Sequence, residues 1–188
     1  MRTDEQLELN LLARPGAQAQ PFLVTRPLRN HRACNRILRR VYYARRFFPE
    51  FEGATIKIGL TQSAAGMAVP GSRELWLNPS QVSYHTIAHE LVHLLQSREL
   101  GVPQGEKSCD VFALARHWTL NDVCPGYVRV PIPLLDGRGM FTDTGARLTF
   151  ATALEAVGRR HQGMRNYITW FESRLGELAG PLPPIALV

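Results

Sequence analysis

Residues 84–95 read YHTIAHELVHLL, an apolar stretch that contains the pattern H-E-x-x-H at His89, Glu90 and His93. Residues four apart on an α-helix share one face and lie roughly 6 Å apart along its axis. That separation lets the two imidazoles bind one metal ion, and zinc is the ion most often held in this way. The stretch therefore predicts a helix that carries a metal site.

Glu90 occupies the position of the general base in this pattern. It lies about 100° round the helix from His89, so it can reach a water molecule at the ion without being a ligand. The alternative is a helix whose histidines are satisfied core residues. His85 lies one turn earlier, about 12 Å along the axis from His93, so the three histidines cannot all bind one tetrahedral ion. We expect His85 to line the cleft or to contact a ligand.

A catalytic zinc site usually has three protein ligands, and Glu106 is the candidate for the third. Residues 101–105, GVPQG, form a predicted turn, and residues 106–116 follow with helical spacing. Glu106 and Asp110 would share one face of this second helix. We expect Glu106 to bind the metal and Asp110 to accept the free N–H of a metal-binding histidine. The alternative is that both are solvated acids near a helix N-terminus, where negative charge is favoured.

A helix with H-E-x-x-H followed by a helix with E-x-x-x-D resembles the gluzincin metallopeptidases. The gap of twelve residues between His93 and Glu106 is most similar to that of the compact minigluzincins. The second helix is also similar to the glutamate helix of ImmA/IrrE-type peptidases. The resemblance implies one Zn²⁺ per chain with His89, His93 and Glu106 as ligands, Glu90 as the base, and Asp110 bonded to a ligand histidine.

The resemblance covers about residues 55–120 and implies the activity as well as the site. Such enzymes hydrolyse peptide bonds in a peptide or protein substrate through a metal-activated water, and their fold is zincin-like. An edge strand beside the metal binds the substrate backbone, and the predicted strands below are the candidates for it. A further side chain stabilises the oxyanion. The candidates for that role are Tyr127, His117, His161 and Tyr167.

The pattern of apolar residues predicts one α+β domain over residues 1–188, with a small antiparallel or mixed sheet. An active-site helix, a glutamate helix and C-terminal helices complete it. The predicted strands are residues 54–60, 64–69 and 73–78, and the flanking helices are residues 30–48, 146–160 and 162–177. Residues 1–28 are predicted to form an N-terminal arm that begins with a short helix and is irregular after it, because of its prolines. Prolines also predict an extended tail over residues 179–188.

The composition indicates a soluble domain. A length of 188 residues with 45% hydrophobic residues suits one domain with a sizeable core. No stretch approaches twenty apolar residues, so no membrane span is expected, and the first residues lack the apolar core of a signal peptide. Three widely spaced cysteines, Cys34, Cys109 and Cys124, fit reduced thiols. We therefore expect a cytoplasmic protein.

Two features leave a second hypothesis open, that of a latent or regulatory zincin-like protein that acts mainly by binding a partner or DNA. The extended tail could occupy the cleft, and the Cys109 thiolate could block the zinc, although simple burial of Cys109 is favoured. Much of the net charge of +6 falls in the predicted helix 30–48. Nucleic acid is a possible partner of such a helix. A solvated face is favoured, because no stacking platform or DNA-binding motif accompanies it.

Overall fold

The computed structural model describes residues 21–69, 71–96 and 101–180, and these residues form four strands and six helices. The strands are β1 Phe22–Val24, β2 Ile56–Leu60, β3 Gly66–Val69 and β4 Glu74–Leu77. The helices are α1 Arg26–Arg29, α2 Cys34–Arg45, α3 Tyr84–Gln96, α4 Glu106–Leu114, α5 Asp143–His161 and α6 Tyr167–Ala179. The fold is therefore α+β with a small mixed sheet, which confirms the predicted class at this level.

The sheet has the strand order β1-β2-β4-β3. Three strands run parallel, with Ile58 of β2 paired to Val24 of β1 and to Leu75 of β4. β3 pairs antiparallel with β4 and lies at one end of the sheet. β3 therefore has one side without a partner among the described strands. Because β2 and β4 are parallel, their carboxyl ends lie next to each other.

The prediction of an irregular arm is wrong for residues 21–28, because this segment contains β1 and most of α1. A strand of three residues is too short to show a period of two in the sequence. It forms because Phe22 and Val24 pair with β2, a contact that local propensity does not encode. The rest of the predicted arm, residues 1–20, and tail residues 181–188 lie outside the described part of the chain.

The predicted helix 30–48 is shorter in the structure. α2 begins at Cys34, after a turn in which the His31 ring accepts the backbone N–H of Ala33 at 3.1 Å. It ends at Arg45, four residues before Pro49 begins a short 3₁₀ turn. The three predicted strands and the two predicted C-terminal helices are found within a few residues of their expected positions.

Helix α3 is buried along nearly its whole length, which explains why its sequence is apolar on more than one face. It contacts α2, α4, β3 and β4. Ile87, Leu91 and Leu94 are among the largest buried side chains of the core. Within the described ranges, no helix combines the length and the hydropathy that a membrane crossing requires.

The first turn of α3 is capped by residues from two directions. Ser83 Oγ accepts the backbone N–H of Thr86 at 2.9 Å. The carboxylate of Asp122 accepts the N–H groups of Tyr84 at 2.8 Å and His85 at 3.0 Å. These donors have no partner inside a helix, so the caps satisfy them. Asp122 lies beyond α4, and its bonds therefore tie that part of the chain to the start of α3.

Candidate metal centre

The three side-chain atoms predicted as metal ligands form a small triangle. His89 Nε2 lies 3.1 Å from His93 Nε2 and 2.9 Å from Glu106 Oε2. The third side, from His93 Nε2 to Glu106 Oε2, is 3.2 Å. α3 supplies both histidines, and the first residue of α4 supplies the glutamate. The structure therefore brings together the three residues that the sequence predicts.

Hydrogen bonds behind each imidazole determine which nitrogen carries the proton. His89 Nδ1 lies 2.7 Å from Asp110 Oδ1, and it must donate because an ionised carboxylate only accepts. His93 Nδ1 lies 2.9 Å from Gln96 Oε1. The Gln96 amide nitrogen donates to the Pro103 carbonyl at 2.5 Å, so its oxygen faces the histidine and His93 Nδ1 is also a donor. In the neutral rings, both Nε2 atoms are therefore unprotonated.

Three lone pairs, on two Nε2 atoms and one carboxylate oxygen, consequently face one point. Lone pairs at such distances repel one another unless a cation lies among them. Atoms bound at about 2.0–2.1 Å to a tetrahedral zinc ion lie about 3.3 Å apart, close to the observed sides of 2.9 to 3.2 Å. Two imidazoles and a carboxylate also suit zinc chemically. The residues present thus fit this ion in both distance and proton position.

Asp110 joins helix α3, which carries both histidines, to the wall of a cavity. Its Oδ1 accepts from His89 and, at 3.1 Å, from His85 Nε2. Its Oδ2 accepts the backbone N–H groups of Tyr127 at 2.8 Å and Val128 at 3.2 Å. Burial alone would raise the pKa of Asp110, but the bonds from the two histidines outweigh it and hold the pKa well below its usual range. At His89, burial lowers the pKa, and the bond and charge of Asp110 outweigh it and raise the pKa.

Two further groups of described residues have ligand atoms within 4.8 Å of one another: His89 and His93 with Cys109, and His85 and His89 with Asp110. In the second group the carboxylate already accepts four hydrogen bonds. In the first group, Cys109 Sγ lies 3.2 Å from His93 Nδ1, on the edge of the ring opposite Nε2. Burial raises the pKa of Cys109 far above its usual value, which favours a thiol. Glu106, rather than Cys109, completes the triangle.

Glu90 is buried against the edge strand β3. A Cβ atom at Gly66 would lie 2.7 Å from Glu90 Cγ and 2.9 Å from Glu90 Oε1. Burial raises the pKa of Glu90, while the charges of His89 and His93 and the backbone N–H of Ala68 act in the opposite direction. A carboxyl group with a raised pKa is suited to exchange protons near neutral pH.

An open cavity of about 410 Å³ contains the triangle and Glu90. One wall consists of residues 64–68, which include part of β3, and another of residues between Val123 and Tyr127. The Tyr127 ring stacks on His89, with centroids 5.7 Å apart, and 52% of its surface is exposed. The Glu106 side chain is also 46% exposed. A ligand larger than water can therefore approach the triangle from the solvent.

Only Tyr127, of the four residues considered for oxyanion stabilisation, lines this cavity. The others are engaged elsewhere in the described structure: Tyr167 donates to Ser108 at 2.9 Å, His117 stacks on Phe47, and His161 contacts Phe112. The structure therefore narrows a choice that the sequence leaves open.

Sequence reasoning assigned no role to Gln96, although it lies three residues after His93 and hence on the same helix face. That spacing is the sequence signal from which a contact between Gln96 and His93 could be predicted.

Comparisons of the chain with protein-family models, curated proteins and solved structures found no match. The resemblance to gluzincins therefore stays a prediction, and the functional argument rests on the geometry of the site.

Proposed function

We propose that this protein is a zinc-dependent peptidase with a zincin-like fold that hydrolyses bonds in a peptide or protein substrate. The observation that carries the proposal is the convergence of His89 Nε2, His93 Nε2 and Glu106 Oε2, which lie 2.9 to 3.2 Å from one another. Their arrangement is held from behind by Asp110 and Gln96, as expected for ligands whose outer hydrogen bonds orient them. The buried Glu90 beside this triangle would act as the general base.

Glu90 and Asp110 would have different roles in the proposed reaction. When bound, zinc would polarise the scissile carbonyl and bring the pKa of a water molecule toward about 7. Glu90 would take a proton from the attacking water and give it to the leaving amine. Burial raises the pKa of Glu90, which makes its protonated form easier to reach when it takes the proton from water. Asp110 would keep His89 Nε2 free of a proton throughout.

The outer edge of β3 supports an extended peptide as the substrate. β3 has β4 as its sole neighbour among the described strands, and its residues line the cavity. Extended peptides bind such edges through main-chain hydrogen bonds. Small residues at Ala64, Ala65 and Gly66 leave room for a second backbone beside Glu90.

Gly66→Ala is expected to lower peptidase activity with little effect on stability. The added methyl group would overlap side-chain atoms only, Cγ and Oε1 of Glu90 and Cγ2 of Thr86, so the Glu90 side chain can move without a backbone shift but would then be misplaced as a base. The measurement is kcat on a quenched-fluorescence peptide library together with the melting temperature. Gly158→Ala is the control, because a Cβ atom there meets nothing within 4 Å. Equal kcat in the Gly66 variant and the wild type would contradict the placement of Glu90.

Tyr127→Phe is expected to lower kcat by about 10²–10³-fold while KM changes little, since removal of one oxyanion donor has that effect. Phenylalanine keeps the ring that stacks on His89 and removes only the hydroxyl. Tyr42→Phe, on the half-buried side of α2, serves as the control for loss of a tyrosine hydroxyl. A rise in KM at unchanged kcat would assign Tyr127 to substrate binding instead.

Glu106→Ala is expected to lower zinc affinity and abolish turnover, because it removes one of three ligand atoms. The metal content of the purified protein should be one zinc per chain for the wild type and well below that for the variant. Glu155→Ala is a matched control, since Glu155 has a similarly exposed side chain on α5 and pairs with Arg159. Wild-type protein that holds no metal after zinc is supplied would overturn the proposed function.

A further inference from the structure

A second cavity, of about 430 Å³, lies apart from the metal centre and shares no lining residue with it. Its lining includes Gln62, which follows β2, and Asn78, which follows β4. Because β2 and β4 are parallel, both residues leave the sheet at the same edge. Crevices at the carboxyl ends of parallel strands are common positions for ligands.

The second cavity is strongly basic. Its lining contains the guanidinium groups of Arg32 and Arg36 and no carboxylate. Both arginines belong to a segment, residues 21–49, with eight arginines and no aspartate or glutamate. Arg36 donates to the Pro79 carbonyl at 2.6 Å, which fixes the guanidinium without neutralising its charge. Arg32 is exposed and makes no hydrogen bond or ion pair with another described residue. Both guanidinium charges are therefore available to a ligand.

Neutral donors add to these charges. Asn78 is only 8% exposed, and its Oδ1 accepts from the Ser80 backbone N–H at 3.1 Å and from Ser80 Oγ at 2.8 Å. These bonds fix the orientation of the amide, and its NH₂ group is left without a hydrogen-bond partner among the described residues. Asn78 Nδ2 is not among the buried side-chain atoms that lack a partner, so this donor is open to an acceptor in the cavity. The cavity therefore offers directed N–H groups as well as charge.

The N-terminus of α2 also contributes to this cavity. Ala33, which precedes the helix and lines the cavity, provides no side-chain cap, and the first turn contains no acidic residue. The Ala33 N–H donates to the His31 ring and the Cys34 N–H to the His31 carbonyl, so the helix dipole and the next N–H groups of the first turn are what favour an anion here. The helix end, the two arginines and the Asn78 amide thus favour the same kind of ligand.

We propose that this cavity binds a phosphate group. Guanidinium groups match the oxygen atoms of phosphate with paired, charge-assisted hydrogen bonds, and the remaining donors can reach its other oxygens. The volume is sufficient for a ligand of the size of a mononucleotide. The phosphate can be free or can be part of a nucleotide or of a nucleic-acid chain. In each case the arginines would bind the same group. The proposal is independent of the peptidase activity.

Calorimetric titration at constant ionic strength tests this proposal with three probes: inorganic phosphate, adenosine monophosphate and a single-stranded eight-nucleotide DNA. Arg32→Gln is the test variant, since Arg32 is exposed and its replacement leaves the core intact. Arg165→Gln is the matched control, because Arg165 is also exposed and lies outside the cavity. We expect Kd to rise about tenfold or more in the first variant and to stay unchanged in the second.

The three probes separate the sources of the phosphate. Binding of phosphate and the mononucleotide identifies a small ligand. Binding of the DNA alone, with a steep dependence on salt, identifies a nucleic-acid backbone. Equal affinity of the wild type and Arg32→Gln would overturn the proposal, because the probe would then bind elsewhere, for example at the metal centre. Absence of binding of all three probes to the wild type would overturn it as well.

Discussion

Glu90→Gln is expected to lower kcat by about 10²–10⁴-fold while zinc stays bound. Glutamine has nearly the same shape as glutamate and can keep the place of Glu90 beside Gly66 and Ala68. It cannot take a proton from water at neutral pH. Because Glu90 is not a corner of the ligand triangle, the metal affinity should be the same in the variant and the wild type.

The measurement pairs single-turnover hydrolysis of a peptide with the zinc content of the same sample. Glu155→Gln is the control for loss of one carboxylate on a helix surface, and its activity should equal that of the wild type. Undiminished turnover by zinc-loaded Glu90→Gln protein would rule out Glu90 as the base. Loss of zinc from this variant would instead place Glu90 among the ligands, contrary to the geometry of the triangle.

Asp110→Asn is expected to weaken zinc binding by about 10–100-fold, although Asp110 is not a ligand in the proposed site. The carboxylate accepts four hydrogen bonds, from His85, His89 and the backbone at Tyr127 and Val128. An amide has one acceptor atom and an NH₂ group, so it cannot accept on both sides. Either the N–H of His89 Nδ1 or the backbone N–H of Tyr127 therefore loses its acceptor.

The same variant should be less stable than the wild type. Removal of one member of a buried charged network costs about 3–5 kcal/mol, which corresponds to a decrease of roughly 6–20 °C in melting temperature for a chain of this size. Asp136→Asn is a suitable control, because the Asp136 carboxylate also accepts two backbone N–H groups but lies in an exposed turn. Wild-type zinc affinity and melting temperature in the Asp110 variant would show that the network has no part in the metal site.

The part of the site that could be predicted from sequence is the part with local geometry. The spacing of His89 and His93 fixes their relation within one helix, whatever surrounds it. Glu106 begins the next helix ten residues after α3 ends at Gln96, and so short a connection limits how far from the histidines it can lie. A carboxylate one turn further, at Asp110, then falls behind the first ligand.

The remaining features depend on contacts between distant segments. Gln96 accepts from His93 because its amide nitrogen donates to the Pro103 carbonyl and so turns the amide oxygen toward the ring. No pattern in the sequence predicts that hydrogen bond. Tyr127 lies beside the candidate metal centre, where Asp110 accepts its backbone N–H, so the choice among four candidate side chains required the structure. β1 is likewise a strand only through its pairing with β2.

In the proposed enzyme, the shared carboxylate of Asp110 would link metal binding to substrate binding. One oxygen of this residue accepts from His89, a proposed zinc ligand, and the other holds the backbone of the cavity wall at Tyr127 and Val128. If zinc raises the affinity for a peptide through this link, the peptide must raise the affinity for zinc by the same factor, because such coupling is reciprocal. Under the proposed function, a chelator at equilibrium would therefore remove less zinc when a peptide is bound.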